Sequence, residues 1–236
     1  MPAPTSGQLP PWRSVLAVFA HPDDESFGLG AVLATFIDAG SSAAALCFTH
    51  GEASTLHGVA GNLAQIRVDE LDAAAQVLGV HPVRLLDFAD GALTEVDVEE
   101  LSAQVVTLAE QVKADGLLAF DSDGVTGHPD HVRATEAALA AGQRLGLAVL
   151  GWTVPRAVAT SLNAEYGATL TGHDPDGIDL VVPVQRTIQR AAIACHPSQA
   201  VPGSLLWRRL DLLGGHESLR WLRRTPTTHP NDGTST

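Results

Sequence analysis

Short apolar segments with the character of buried strands alternate along the chain with longer segments that have the apolar spacing of helices. The strand-like segments are followed, one after another, by helical ones, so neighbouring strands are expected to run parallel. Continuously apolar strands of this kind are covered on both faces. The sequence therefore predicts an α/β fold with a mostly parallel sheet between helices. The predicted strands are residues 14–20, 43–50, 83–88, 117–121 and 148–154, and the predicted helices are 24–39, 62–79, 96–116, 128–146 and 184–199.

The two ends of the chain differ from the middle in composition. Residues 1–12 are rich in proline, serine and glycine, which predicts a flexible N-terminal segment, and residues 225–236 are predicted to form a disordered tail. Residues 13–224 are long enough for one domain with its own core. Within it, residues 168–172 and 178–184 are predicted to form a hairpin or an edge pair of strands.

The charge balance excludes some classes of partner. Lysine and arginine total 14 against 27 acidic residues, a formal charge of −13, whereas nucleic acids and anionic membranes require a basic face. The N-terminus does not resemble a signal peptide, and the apolar runs are shorter than the ~20 residues of a membrane helix. Cys47 and Cys195 lie in apolar stretches without paired spacing and are expected to be reduced core residues. These features predict a cytoplasmic protein.

Two polar motifs follow predicted strands. His21-Pro22-Asp23-Asp24-Glu25 comes directly after the first strand, and His128-Pro129-Asp130-His131 follows the fourth. In parallel sheets ligands bind outside the carboxyl ends of the strands, so both motifs are expected at one crevice.

The residue types in these motifs suit a divalent cation, because imidazole and carboxylate are ligands of Zn²⁺. His21 and Asp24 are three residues apart at a strand-to-helix turn, and His128 and His131 are three apart at a helix start. Either motif alone is explained as well by helix capping and the helix dipole. Together, at the ends of two predicted parallel strands, they predict a metal site.

These residues resemble the PIG-L/LmbE-like family of zinc-dependent N-acetylglucosaminyl deacetylases. Residues 17–40 resemble the family's A-H-P-D-D-E signature and helix start, and residues 124–134 resemble its second signature. Residues 49–54 and 66–80 are similar to its middle segments. The resemblance covers roughly residues 14–200 and implies a single Rossmann-like domain of three layers, α/β/α, with one Zn²⁺ per chain or another divalent metal.

The resemblance also implies roles for single residues. One position departs from relatives of the mycothiol deacetylase type, which carry a tyrosine where this chain has Thr126. Asp130 is expected either to orient His21 or His131 or to cap a helix. The implied metal ligands are His21, Asp24 and His131, the general base is Asp23, the partner of the oxyanion is His128, preferably as imidazolium, and the substrate contacts are Arg67 and Asp90.

The resemblance implies a hydrolase that removes an acetyl group from the amide nitrogen of an N-acetylglucosamine-containing or related small molecule. In that reaction metal-activated water attacks the acyl carbon and Asp23 takes its proton. The substrate is a small amino sugar, and a homo-oligomer remains open. His57, Gly58 and Gly61 suggest a mobile loop over the site.

Three alternatives remain. One is an amidase that cleaves a mycothiol-type conjugate. Another is a nucleotide-binding Rossmann protein, but that class needs G-x-G-x-x-G after the first strand, and the acids present there would repel a pyrophosphate. The third is a non-catalytic metal-binding Rossmann-like module, which would have no need for Asp23 and His128 beside the ligands.

Overall fold

The computed structural model describes residues 7–56 and 61–225, and within them a seven-stranded sheet forms the centre of the protein. The strands lie in the order β3-β2-β1-β4-β5-β7-β6. The first five are parallel to their neighbours, and β7 is antiparallel to both β5 and β6. The strands are β1 (Ser14–Phe19), β2 (Ser42–Thr49), β3 (Val83–Phe88), β4 (Gly116–Phe120), β5 (Ala148–Thr153), β6 (Leu180–Pro183) and β7 (His216–Arg223).

Helices cover both faces of the sheet, which confirms the predicted three-layer α/β/α fold. Side chains of α4 and α5 pack on one face, and side chains of α2, α3, α6 and α7 pack on the other. In the part of the chain that the structure describes, no helix is long and apolar enough to cross a membrane. The helices are α1 (Asp24–Phe27), α2 (Gly30–Asp38), α3 (Leu63–Leu78), α4 (Val98–Val112), α5 (Pro129–Leu145), α6 (Arg156–Tyr166), α7 (Arg186–Ile193) and α8 (Leu205–Leu213).

The sequence of the central strand β1 is apolar throughout because the strand is buried on both faces. Val15, Ala17 and Phe19 belong to the core on one face, whereas Leu16 and Val18 belong to the core on the other. Because successive side chains of a strand point to opposite faces, a strand buried on both sides has no polar alternation.

The strand order reverses between β1 and β4. From β1 the chain proceeds outward through β2 to β3, and it then returns to add β4 and β5 on the other side of β1. Such a reversal opens a crevice at the carboxyl ends of the two strands, and open α/β sheets bind their ligands there. The H-P-D-D-E motif follows β1 and the H-P-D-H motif follows β4, so both lie at this crevice.

The predicted helix over residues 24–39 is divided in the structure. It consists of α1 and α2, with Gly28 and Leu29 between them. At Gly28 a Cβ atom would lie 2.6 Å from the ring of Phe120. The close approach of this turn to the end of β4 therefore depends on a residue without a side chain.

The predicted pairing of residues 168–172 with 178–184 is wrong. Residues 180–183 form β6, but their partner is β7, near the C-terminus. Among the described residues, 168–172 belong to no strand. Trp221 on β7 and Trp207 on α8 are partly buried against hydrophobic clusters, so the C-terminal segment is docked on the domain.

Half of the segment predicted to be flexible packs against the domain. The ring of Trp12 stacks on Phe36 at 5.6 Å between centroids and meets Trp221 edge-on at 6.0 Å. The backbone N–H of Gly7 donates to Val181 O at 3.0 Å. The other six residues of that segment, and residues 226–236 of the predicted tail, lie outside the described residues.

We expect Trp12→Ala to lower the free energy of unfolding by about 3 kcal/mol, because it removes a large aromatic group from between two others. Denaturant unfolding followed by circular dichroism measures the change. Tyr166→Ala is the control, since that side chain is 43% exposed and its loss should change stability by less than about 0.5 kcal/mol. Equal effects of the two substitutions would contradict the packing of residues 7–12.

Candidate active site

A cleft of about 450 Å³ opens at the carboxyl ends of β1 and β4. His21, Asp23 and Asp24 reach it from the loop and short helix after β1. His128 and His131 reach it from the start of α5, after β4. Residues about 110 positions apart in sequence are therefore brought together by the parallel pairing of two neighbouring strands.

Three of these side chains turn donor atoms toward one point. His21 Nδ1 lies 3.2 Å from His131 Nε2, and His131 Nε2 lies 3.2 Å from Asp24 Oδ1. His21 Nδ1 is 3.6 Å from Asp24 Oδ2. All three residues are more than nine-tenths buried.

These separations fit a metal ion. Nitrogen and oxygen ligands about 2.0–2.1 Å from a tetrahedral Zn²⁺ lie about 3.3 Å from one another. The donor set and its spacing therefore suit a divalent cation with three protein ligands.

A second grouping of possible ligands uses His21 with His128 and Asp130. It is the poorer candidate, because its groups already have partners. The two carboxylate oxygens of Asp130 accept hydrogen bonds from the backbone N–H groups of Gly91 and Leu93, at 2.8 and 3.2 Å. His128 Nδ1 accepts from the Asp130 N–H at 3.2 Å.

The His131 ring nitrogen that points away from the candidate metal position, Nδ1, is held by the loop before α5. His131 Nδ1 lies 2.9 Å from Thr126 Oγ1 and 3.2 Å from Gly124 O. A proton on Nδ1 satisfies these acceptors and leaves the Nε2 lone pair directed at the candidate metal. Thr126, which stands where some relatives have tyrosine, thus supports a ligand.

The outer nitrogen of His21 faces carboxylates. His21 Nε2 lies 3.0 Å from Asp90 Oδ1 and 3.5 Å from Asp130 Oδ2, without the alignment of a hydrogen bond. The N-cap of α5 is His128 and not Asp130, and the orientation of His21 by Asp130 stays a prediction. Asp90, expected to contact substrate, lines the cleft but directs one oxygen at this ring; its other oxygen accepts from the Ala53 N–H at 2.8 Å.

Asp23 occupies an unusual backbone conformation beside the candidate ligands. Its φ is 112°, in a region that L-residues rarely adopt. Its N–H donates to Glu25 Oε2 at 2.9 Å. The Glu25 side chain is itself held by His196 Nε2 and by Ser26 Oγ, both at 2.6 Å. The fully buried Glu25–His196 pair was not predicted, since nothing in the spacing of residues 25 and 196 connects them.

The side chain of Arg67 is buried and contacts Asp23. Its Nη2 is 2.9 Å from Asp23 Oδ2 and also donates to Pro22 O, and Nη1 donates to Gly51 O at 2.7 Å. Gly51 has φ 63°, and a Cβ there would lie 2.0 Å from the guanidinium. Arg67 also lines the cleft, so its contact with substrate stays a prediction, beside the contacts by which it holds Asp23.

Burial and neighbouring charges set the protonation of the site. Burial raises the pKa of Asp23 to about 7, against the opposing charge of Arg67. Burial also opposes ionisation of Asp24, but the charges and hydrogen bonds of His131 and His21 hold its pKa well below the usual range. A cation bound among these groups would favour the carboxylate form of both acids further.

The pKa values of His21 and His128 are shifted in opposite directions. Burial disfavours a charged His21, yet the contacts with Asp130, Asp24 and Asp90 outweigh it and raise its pKa well above the usual value. For His128, burial and the charges of His21 and His131 lower the pKa. The imidazolium form of His128 preferred from the sequence is therefore disfavoured here.

The sequence profile of the PIG-L family, described as GlcNAc-PI de-N-acetylase, matches residues 16–142, more than half of the chain. The chain belongs to the PIG-L family. This match spans both motifs and confirms the resemblance seen in the sequence.

A curated relative in this PIG-L group is the 1D-myo-inositol 2-acetamido-2-deoxy-alpha-D-glucopyranoside deacetylase of Kineococcus radiotolerans. It is 33% identical over 160 residues, which are 55% of this chain and 44% of the relative. The chain spans about half the length of the curated relatives that it matches first.

Solved structures share the fold at low identity. The N,N′-diacetylchitobiose deacetylase of Pyrococcus horikoshii has a TM-score of 0.65 and 21% identity, over 92% of this chain and 88% of that one. The 4-carboxy-2-hydroxymuconate hydratase of Pseudomonas putida KT2440 has a TM-score of 0.69 and 17% identity, over 92% of this chain and 99% of that one. Since a deacetylase and a hydratase share it, the fold alone does not select the reaction.

The conformation of Asp23 leads to a stability test. We expect Asp23→Gly to be more stable than Asp23→Ala by about 1 kcal/mol, because glycine adopts positive φ without strain and both variants lose the same carboxylate. Denaturant unfolding of the two variants measures the difference.

The same pair of substitutions at Asp174 serves as control. Asp174 is exposed and has φ −70°, so alanine there should be at least as stable as glycine. An alanine advantage at both positions would show that Asp23 is not strained.

Proposed function

We propose that this chain is a zinc-dependent hydrolase that removes an acetyl group from the amide nitrogen of an N-acetylglucosamine-containing or related small molecule. The observation that carries the proposal is the convergence of His21 Nδ1, Asp24 Oδ1 and His131 Nε2, beside an uncoordinated carboxylate in an open cleft. Membership of the PIG-L family and the activity of the Kineococcus relative support the choice of reaction.

His21, Asp24 and His131 would hold Zn²⁺. Three protein ligands are typical of catalytic zinc, since the fourth position stays open. Bound there, the ion supplies Lewis acidity, which polarises the acyl oxygen and brings the pKa of water toward ~7. Thr126 and Gly124 fix one imidazole, and Asp90 and Asp130 face the other, so that both rings present the required nitrogen.

Asp23 is the proposed general base. Arg67 holds its Oδ2 at 2.9 Å, so Oδ1 is the oxygen left to accept a proton from the attacking water. The base then carries the proton to the leaving nitrogen as the C–N bond breaks. Without such a transfer the amine would leave as an anion, which is far too basic to form.

His128 is the proposed donor to the oxyanion. Its Nδ1 accepts the Asp130 N–H, and in the neutral ring the proton is then on Nε2. Its ring centroid lies 4.7 Å from that of His21 and 5.3 Å from that of His131, so this donor is beside the metal position. A neutral imidazole can stabilise developing negative charge as a hydrogen-bond donor.

The alternatives explain less of the geometry. A non-catalytic metal-binding module needs neither a strained Asp23 nor the arginine that holds it. An amidase acting on a mycothiol-type conjugate uses the same chemistry on a larger acyl group, and amine release from such a conjugate would distinguish it. A homo-oligomer stays a prediction.

We expect His21→Ala to lose both bound zinc and activity, because the change removes one of the three proposed ligands and the imidazole that contacts Asp24, another of them. Elemental analysis after gel filtration gives the zinc content, and amine release from a panel of N-acetylglucosamine conjugates gives the activity. His216→Ala, a change at an exposed histidine, should keep both. A full equivalent of zinc in the His21 variant would refute the ligand assignment.

We expect Asp23→Asn to retain zinc and to reduce kcat by ~10²–10⁴-fold, since the amide cannot accept the proton of water. The matched control is Asp87→Asn, because the Asp87 side chain is 96% exposed and lies outside the cleft lining. Turnover near the wild-type rate in the Asp23 variant, on a substrate that the wild type hydrolyses, would exclude Asp23 as the base.

A further inference from the structure

Arg209 lies on α8, far from both motifs in sequence, and reaches the same cleft. It is 5% exposed and lines the cleft together with Phe27, Gly28 and Phe120. Its guanidinium carbon lies 4.9 Å from the centroid of the Trp152 ring, and its Nη2 donates to Phe27 O. The Phe120 ring in turn packs edge-on against His131, 4.7 Å between centroids, which connects this part of the cleft to the metal position.

Arg209 is a buried cation without a counterion. Among the described residues, no carboxylate oxygen lies within 4.0 Å of its nitrogens, and its buried Nε makes no hydrogen bond. The nearest acid on β7, Glu217, is already bound by Trp152 Nε1 at 2.8 Å and by Arg186. Burial lowers the pKa of Arg209 to about 10, so the side chain stays charged at neutral pH.

The other cations of the same region all have partners. On α8 itself, Arg208 forms a two-pronged ion pair with Glu165, at 2.8 and 3.0 Å. Arg67, the other arginine at the cleft, is paired with Asp23. A buried unpaired charge is costly, and proteins place one where a ligand or another group compensates it.

A role confined to the fold does not account for Arg209. Its one hydrogen bond, to Phe27 O, satisfies a carbonyl at the end of α1, and a neutral donor would serve that purpose without the cost of a buried charge. The stacking on Trp152 stabilises the cation only in part. Nη2 donates to Phe27 O and Nε is buried, but Nη1 makes no hydrogen bond among the described residues, so its two N–H donors remain for another partner.

We propose that Arg209 forms an anion subsite of the cleft, which binds a carboxylate or phosphate group carried by the substrate. The guanidinium presents paired donors that match either group. A local cation of this kind is needed because the chain as a whole carries −13 charges and repels anions. The inference rests on the proposed function for its reaction, and it specifies that the preferred amide is anionic.

The anion can belong to either half of the amide. On the amine half, a phosphate on the sugar would reach Arg209, and on the acyl half a second carboxylate would do so. N-acetylglucosamine 6-phosphate represents the first case and N-succinylglucosamine the second. Neutral N-acetylglucosamine is the reference for both.

The experiment compares the zinc-loaded full chain with Arg209→Gln and Arg209→Met. Both variants remove the charge; the glutamine keeps a donor for Phe27 O, and the methionine keeps the volume. Circular dichroism and Tm identify a folded variant, so loss of one to misfolding leaves the other. Arg208→Gln is the matched control, since it removes an exposed arginine from the adjacent position.

We expect the wild type to have a KM lower by about tenfold or more for at least one anionic amide than for N-acetylglucosamine. The folded Arg209 variant should lose that preference, so that its KM for the anionic amide rises to its KM for the neutral one. Arg208→Gln should keep the preference. Whichever anionic amide shows the effect identifies the half that carries the anion.

Binding measured by calorimetry in the Asp23→Asn background separates this inference from the proposed reaction. An Arg209-dependent preference for an anionic amide supports the subsite even if no amine is released. Active enzyme with no anion preference, or with a preference that both Arg209 variants retain, overturns it. Failure of amine release alone overturns the proposed function instead.

Discussion

The pairing of β1 with β4 at the point where the strand order reverses is the constraint on which the site depends. It brings the turn after β1 within reach of the start of α5, so that His21 and Asp24 meet His131. None of the three could be buried alone at tolerable cost, because each is polar or charged and more than nine-tenths buried. Their mutual contacts, and the cation that would replace the proton among them, make that burial possible.

Three adjacent acids, Asp23, Asp24 and Glu25, would repel one another if their side chains pointed the same way. The positive φ of Asp23 separates them. Asp24 turns to the imidazoles, Asp23 turns to Arg67, and Glu25 turns into the interior to His196. The strained backbone at Asp23 thus directs the three carboxylates apart, and each contacts a different basic side chain. The same turn leaves one oxygen of Asp23 beside the candidate ligands without being one of them.

The sequence predicted the parts of this arrangement that depend on local patterns. Continuous apolar runs marked β1 to β5, and the two motifs marked the carboxyl ends of β1 and β4. Contacts between distant residues left no such pattern. The strand β7, H-E-S-L-R-W-L-R, has no continuous apolar run and pairs antiparallel, so neither its partner nor its place between β5 and β6 could be inferred from it. The partners of Asp23 and Glu25 lie 44 and 171 positions away, and their residue types are common on helices for other reasons.

The reaction cannot be argued from the fold, since a hydratase and a deacetylase have it in common. Hydration and amide hydrolysis both add water to an electrophilic carbon. An amide differs in that its nitrogen must also receive a proton before it leaves. A base that is buried, free of the metal and held by one oxygen can accept a proton and return it without exchange with bulk water. As the proposed base, Asp23 would act in this way, because Arg67 occupies only Oδ2 and Asp23 is not among the groups that converge on the candidate metal position. The choice of hydrolysis therefore rests on how a single carboxylate is held, which neither the sheet nor the three ligands determine.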